Sequence, residues 1–265
     1  MSENRDSESY TGEFLRLIEI MRRLRSENGC EWDRAQTHES LRQYLIEEAY
    51  EAVEAIDKSN MDLLREELGD LMLHVIFHAK LGEESGSFSI LDVLEGINDK
   101  LIKRHPHVFD GGDKKSLDEI KMGWEEIKRS EGRESLLEGI PDTLPALQRS
   151  FRLQEKAASS GFDWKEVSGV WDKISEEIEE LHEAIENDAE IGIEEEIGDL
   201  LFSIVNLSRF MDVNPEDALR RSSRKFEERF KGIEESAKLE GREINELSLD
   251  EMDKIWESNK TGREK

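Results

Sequence analysis

Cysteine, proline and positive charge are all scarce in this chain of 265 residues. A single cysteine, Cys30, excludes an intramolecular disulfide framework and a cysteine-rich zinc site. Long apolar runs are missing too. Stretches such as 71–77 and 200–205 fall far short of the ~20 residues that a membrane span needs. Residues 1–12 are polar and acidic, without the apolar centre of a signal peptide. With 37 Lys and Arg against 64 Asp and Glu, the net charge is −27. That charge opposes contact with nucleic acid or an anionic membrane. A soluble, cytoplasmic protein is expected, with no nucleic-acid and no membrane partner. Phosphate substrates stay open, because a divalent cation can stand between acidic protein and acidic ligand.

Apolar residues still make up 36% of the chain, enough to bury a core despite the charge density. Four prolines and an abundance of Glu, Leu, Ile, Lys and Arg favour helices over sheets. The expected class is all-α.

The chain also contains itself twice. Glu66-Glu67-Leu68-Gly69-Asp70-Leu71 returns as Glu195-Glu196-Ile197-Gly198-Asp199-Leu200, displaced by 129 residues. Glu47-Glu48-x-x-Glu51 returns as Glu176-Glu177-x-x-Glu180 with the same displacement. Ser116-Leu117-Asp118-Glu119 and Trp124-Glu125 return as Ser248-Leu249-Asp250-Glu251 and Trp256-Glu257, displaced by 132. Between these blocks, Lys100 with Arg104 corresponds to Lys225 with Arg229. Four blocks in one order indicate a duplicated domain with short insertions.

Glycines and prolines at 132, 139, 141 and 145 interrupt the helical pattern between the copies. The expected layout is a polar tail over 1–12, a first domain over 13–130, a linker over 131–145 and a second domain over 146–265. Each copy is expected to hold four principal helices. Leu41, Leu45, Ala49, Ala52 and Ile56 form one apolar stripe, and Leu63, Leu71 and Val75 begin the next. In the second copy the stripes are Ile174, Ile178, Leu181 and Ile185, then Ile193, Ile197, Leu200 and Ile204. Asn60 and Asn214-Pro215 read as helix starts, and Ser116-x-x-Glu119 and Ser248-x-x-Glu251 as capping boxes.

Most acids on such helices belong to solvated faces. Four of them do not. Glu48, Glu67, Glu177 and Glu196 each lie between apolar residues three or four positions away, which draws them toward the core. Adding their i+3 neighbours gives the pairs Glu48 and Glu51, Glu67 and Asp70, Glu177 and Glu180, Glu196 and Asp199. Two antiparallel helices packed face to face would gather four carboxylates per copy. Clustered, half-buried anions need neutralisation, and oxygen donors without Cys or His favour Mg²⁺, or Mn²⁺ in its place, over zinc. Gly69 and Gly198 precede the two aspartates, and close approach of the partner helix is the expected reason. A bound Mg²⁺ invites polyphosphate. Lys173 shares a helix face with Glu177, and Lys225 and Arg229 stand at i and i+4, although each also suits a solvated surface. By pattern alone, Trp256 suits a core position better than a binding one.

These motifs resemble the MazG family of nucleoside triphosphate pyrophosphohydrolases, among the all-α NTP pyrophosphatases. Cys30-Glu31-Trp32-Asp33, Arg104-His105-Pro106-His107-Val108-Phe109, Gly139-Ile140-Pro141 and Gly161-Phe162-Asp163-Trp164 extend the likeness from about residue 13 to the C-terminus. The resemblance implies two MazG-like domains, a homodimer, and hydrolysis of ribo- and deoxynucleoside triphosphates to monophosphate and pyrophosphate. It also implies that Glu177, Glu180, Glu196 and Asp199 hold Mg²⁺, that Lys173, Lys225, Arg229 and Trp256 contact nucleotide, and that Glu176 or Glu195 orients the attacking water. The first copy keeps the metal set Glu48, Glu51, Glu67 and Asp70 with Lys100, Arg104 and Trp124. Two positions depart from the family pattern: Ser223 replaces the usual Asn, which the first copy retains as Asn98, and Glu228 stands where a basic residue is common.

Two other readings compete. A di-iron carboxylate protein needs Glu-x-x-His on two helices, and only Glu179-x-x-His182 fits. A non-enzymatic acidic helical scaffold binding a basic partner accounts for the charge, but not for the repeated Gly-Asp or the paired cations.

Overall fold

The computed structural model describes residues 2–111, 116, 119–120, 123, 135–187 and 190–261. Among them there is no strand. The chain divides into two compact units, 1–117 and 118–265.

The first unit holds α1 (Ser2–Leu24), α2 (Glu31–Ala35), α3 (His38–Asp57), α4 (Met61–Ser85), α5 (Ile90–Arg104) and α6 (Pro106–Phe109). The polar stretch expected as a tail is helical from Ser2 onward and continuous with the apolar part of α1. Local chemistry sets the helix ends. The Thr37 hydroxyl accepts from the Ser40 amide at 3.2 Å and the Ser40 hydroxyl accepts from the Thr37 amide at 2.9 Å, which fixes the start of α3. Asn60 caps α4 as its sequence implies, its side chain accepting from the Leu63 amide at 3.2 Å. The turn from Lys58 to Asn60 therefore folds α3 back onto α4, the most extensive pairing in this unit. Gly86, at φ +70°, ends α4 in the left-handed region. Met21, Leu41, Ile76, Phe77 and Leu81 form the core, with Phe14, Leu17, Ile18, Tyr44, Leu73 and Ile90 packed around it.

The second unit holds α7 (Ala146–Ala158), α8 (Val167–Glu186), α9 (Glu190–Phe210), α10 (Pro215–Leu239), a 3-10 turn (Ile244–Glu246) and α11 (Leu249–Thr261). Helices α8 and α9 repeat the α3–α4 hairpin, and α7 covers α9. Asn214 caps α10, accepting from the Asp217 amide at 3.1 Å with Pro215 in the first turn. The Ser248–Glu251 box is formed in both directions, at 2.8 and 3.3 Å. In its first-copy counterpart, Ser116-x-x-Glu119, the two middle positions lie outside the described residues. Helix α11 packs on α10 through Ile233, Ala237 and Leu247, with Ile244, Met252, Ile255 and Trp256 around them.

Two expectations need correction. The apolar stripes of the hairpins are only half covered. Leu41, Ala52 and Ile174 are buried, whereas Leu45, Ile56, Val75, Ile178, Ile185, Ile197 and Ile204 are exposed. Pairing within each hairpin covers one side of these stripes, and among the described residues the far edge of each is left exposed. Gly69 and Gly198 are exposed, and a Cβ at either would meet nothing within 4 Å among the described residues. Neither glycine marks a close helix approach within its hairpin.

Candidate metal and nucleotide site

Each hairpin gathers its carboxylates. Helix α3 supplies Glu48 and α4 supplies Glu67 and Asp70, with one oxygen from each lying within 4.8 Å of the others. Glu177 from α8 and Glu196 and Asp199 from α9 repeat that geometry. The i, i+3 and i+4 spacings on two antiparallel helices are sufficient to produce it. The fourth acid stands just outside each triad: Glu51 lies against Glu48, and Glu180 against Glu177. Glu67 and Glu177 are buried, Glu48, Asp70 and Glu196 half-buried, and Glu51, Glu180 and Asp199 exposed.

Burial first, then mutual repulsion, raises the proton affinity of Glu48, Glu67, Glu180 and Glu196. Glu48 is pushed up to about 7 by burial and by Asp70, Glu51 and Glu67. Glu67 rises by burial and by Glu51 and Asp70. In the second hairpin, Glu196 rises by burial and by Glu180, Glu177 and Asp199. Glu180 rises by burial and by Glu177, with Lys173 opposing. Protonation and a cation are the alternative remedies for such a cluster.

The donor set fits a hard divalent cation. It consists of carboxylate oxygens alone, and Glu177 Oε2 is buried without a hydrogen-bond partner. A group of this kind is costly to bury unless something binds it. Glu48, Glu67 and Asp70, or Glu177, Glu196 and Asp199, would hold Mg²⁺ or Mn²⁺.

The cations divide into two sets. Lys173 Nζ lies 2.7 Å from both Glu176 Oε1 and Glu177 Oε1. Glu176, and then Glu177, hold this ammonium protonated well above its usual range. Lys173 thus sits in the carboxylate cluster and carries Glu176 with it, while Glu195 is exposed beside Glu196. The second set lies on α10 and α11. Arg229 stacks over Trp256 at 5.4 Å, Phe226 meets the same indole at 5.3 Å, and Lys225 is exposed one turn before Arg229. Trp256 is both a wall of the α10–α11 core and the seat of Arg229. Among the described residues no hydrogen bond or ion pair joins Lys225 or Arg229 to the carboxylates. On α5, Lys100 is exposed and Arg104 half-buried. Trp124 lies outside the described residues. Glu179 and His182 are exposed and belong to neither carboxylate triad, so the di-iron pattern is not assembled.

Sequence reasoning missed a histidine cluster. The face of α4 that carries Glu67 and Asp70 continues through His74 and His78. The Nδ1 atoms of His78 and His38, which opens α3, are 2.8 Å apart, and the two rings are stacked. Burial lowers the basicity of His74 and His78. The four-residue steps from Asp70 to His74 to His78 were the available signal.

Comparison with known proteins agrees with the duplicated hairpins. The MazG nucleotide pyrophosphohydrolase domain matches twice, over residues 36–109 and 151–233. The chain is 51% identical over 254 residues to the nucleoside triphosphate pyrophosphohydrolase/pyrophosphatase MazG of Thermotoga maritima, covering 95% of this chain and 97% of that one. It is 41% identical over 254 residues to the nucleoside triphosphate pyrophosphohydrolase of Escherichia coli K12, covering 92% and 96%. An uncharacterized protein of Bacillus subtilis, YabN, is 47% identical over 252 residues, which span 94% of this chain and 52% of that one. Each matched segment contains one complete carboxylate triad, so by sequence and by the geometry of its paired hairpins the chain belongs to the MazG family.

Proposed function

We propose that this protein hydrolyses nucleoside triphosphates, ribo and deoxy with broad base tolerance, to nucleoside monophosphate and pyrophosphate in a Mg²⁺-dependent reaction, and that the second hairpin carries the activity. One observation supports this above the others. Glu177, Glu196 and Asp199 converge within 4.8 Å, with Lys173 in contact with Glu177, in a chain whose relatives bear that activity in their names. Mn²⁺ serves as the substitute ion.

A bound divalent ion supplies charge neutralisation at the phosphates. The chain's own residues do the rest. Lys173 fixes Glu176 beside the triad, and Glu176 or Glu195 takes a proton from the attacking water. The water oxygen bonds to the α-phosphorus as the bond from that phosphorus to the α–β bridging oxygen breaks, and pyrophosphate leaves. Lys225 and Arg229 add charge-assisted bonds to the phosphates, and Trp256 holds Arg229 in place against the nucleotide. Glu180 completes the metal set. In the first hairpin the matching assignments are Glu51 with its triad, and Lys100, Arg104 and Trp124 toward nucleotide.

The domains of this proposal span 13–130 and 146–265, joined by the linker 131–145. The protein acts as a cytoplasmic homodimer. The exposed apolar edges of α3 and α8 support the dimer, and no helix among the described residues is long and apolar enough to cross a membrane.

Product analysis of ATP and dGTP with and without Mg²⁺ tests the reaction. Monophosphate plus pyrophosphate, lost in Glu180→Gln and kept in Glu51→Gln, is the expected outcome. The reverse pattern moves the activity to the first hairpin. No turnover with either cation sinks the reading and leaves an acidic scaffold.

A further inference from the structure

The two hairpins follow one plan and differ at a position beside the carboxylates. Lys173 lies four residues before Glu177 and closes on it at 2.7 Å. The displacement that relates Glu177 to Glu48 makes Tyr44 its counterpart, four residues before Glu48 on α3. A phenol offers no charge to neutralise a carboxylate. It offers a ring. Trp32 of α2 meets Tyr44 edge-on, with ring centroids 6.3 Å apart and planes inclined by 66°. Trp32 is 54% exposed. The two rings form an aromatic corner whose Tyr44 stands one helical turn before Glu48 on α3.

That corner is held rather than loose. Arg25, its side chain 7% exposed, donates from Nε and Nη2 to the Glu84 carboxylate and from Nη1 to the carbonyls of Asp33 and Gln36. Gln36 Nε2 donates back to the Trp32 carbonyl at 3.0 Å. At Gly29 a Cβ would stand 2.1 Å from the Leu24 carbonyl oxygen, so the turn into α2 admits only glycine. The second copy repeats the glycine and the tryptophan as Gly161 and Trp164. With lysine in the place of Tyr44, Trp164 has no ring there to meet. It lies instead on Gly169, where a Cβ would come within 2.3 Å of its Cδ1.

Resting on the nucleotide reading above, we propose that Trp32 and Tyr44 form a nucleobase platform, so that the first hairpin takes its nucleotide by the base as well as by the phosphates. The second hairpin, with Lys173 at the same position, grips chiefly the phosphates. Every base has a stackable face, so the platform tolerates all of them. A helix whose backbone is already fixed in place loses little freedom on binding.

The test silences the second hairpin with Glu177→Gln and Glu196→Gln in the full chain and measures binding calorimetrically with Mg²⁺. The probes are ATP and inorganic tripolyphosphate, which has the phosphates without the base. ATP is expected to bind at least about tenfold tighter than tripolyphosphate. Trp32→Ala removes that preference while leaving tripolyphosphate binding unchanged, and Trp32→Phe restores most of it. Equal binding of the two probes, an unaltered preference in Trp32→Ala, a Trp32→Phe variant no better than alanine, or no binding of either probe would overturn the platform. The catalytic reading fails separately, through absent turnover in the Glu51→Gln protein.

Discussion

At the scale of single residues, the protein is governed by how each carboxylate is neutralised. Glu251 has a complete answer. The Arg242 guanidinium donates to it at 2.8 Å, and the Ser248 amide and hydroxyl each donate at 2.8 Å. Arg242 first, then Ser248, lowers its pKa to about 2. A carboxylate whose pKa is depressed on folding contributes stability above its unfolded value of 4.5, and that contribution fades as pH falls toward 2. Glu251→Gln should therefore lower the unfolding midpoint at pH 7, with the gap to the parent closing between pH 4.5 and 2. Thermal melts across that window check it.

Glu48 gives the opposite sign. Its folded pKa of about 7 exceeds the ordinary 4.5, so the folded state without metal binds the extra proton in between. Its contribution is fully present below pH 4.5 and is lost as pH rises through 7. In EDTA, the midpoint of the parent should fall from pH 5 to 8 more steeply than that of Glu48→Gln. Near pH 8 the variant should be the more stable protein, a common exchange of stability for function. A parallel slope in the two proteins would refute this account of Glu48.

At the scale of elements, helix ends and site faces were legible in the sequence, and their surroundings were not. Asn60, Asn214 and the Ser248–Glu251 box act through bonds spanning three residues, so local sequence contains all the information needed. The carboxylate pairs were legible for the same reason, since helical spacing alone puts Glu67 beside Asp70. Which apolar residues are covered depends on a third helix, and periodicity says nothing about that. Leu41 and Leu45 look alike in sequence and differ in burial. The reading of Gly69 erred in the same way, by inferring a neighbour from a residue type. The pairing of His38 with His78, and of Trp32 with Tyr44, depends on register between elements. Capping offers a direct test of the local part. Asn60→Ala removes the bond at the start of the helix that positions Glu67 and Asp70, at a cost of about 1 kcal/mol. The midpoint should drop by roughly 2–4 °C, and metal affinity of the first hairpin should fall with it while that of the second is unchanged. Calorimetric metal titration separates the sites, with the second hairpin silenced by Glu177→Gln and Glu196→Gln or the first by Glu48→Gln and Glu67→Gln.

At the scale of the whole molecule, the two proposals together have duplication let two sites of one design serve different ends. Among the described residues no lysine or arginine pairs with the triad of the first hairpin, which has an aromatic corner nearby, whereas that of the second hairpin has its own lysine. Their uncovered edges are shared. Ile178 and Ile185 on α8, and Ile197 and Ile204 on α9, are too many exposed apolar side chains to be scattered surface residues. Under the homodimer proposal, Ile178→Glu should shift the protein to monomer in light scattering at micromolar concentration. A parent that is already monomeric would remove the proposal.

The short turns of the hairpins have a consequence in time. All the triad carboxylates of the first hairpin come from the stretch between Glu48 and Asp70, and all those of the second from Glu177 to Asp199. Their closure needs no distant part of the chain, so little loop entropy is lost in bringing them together. Each site can be assembled as its own segment leaves the ribosome, the first long before the second has been translated.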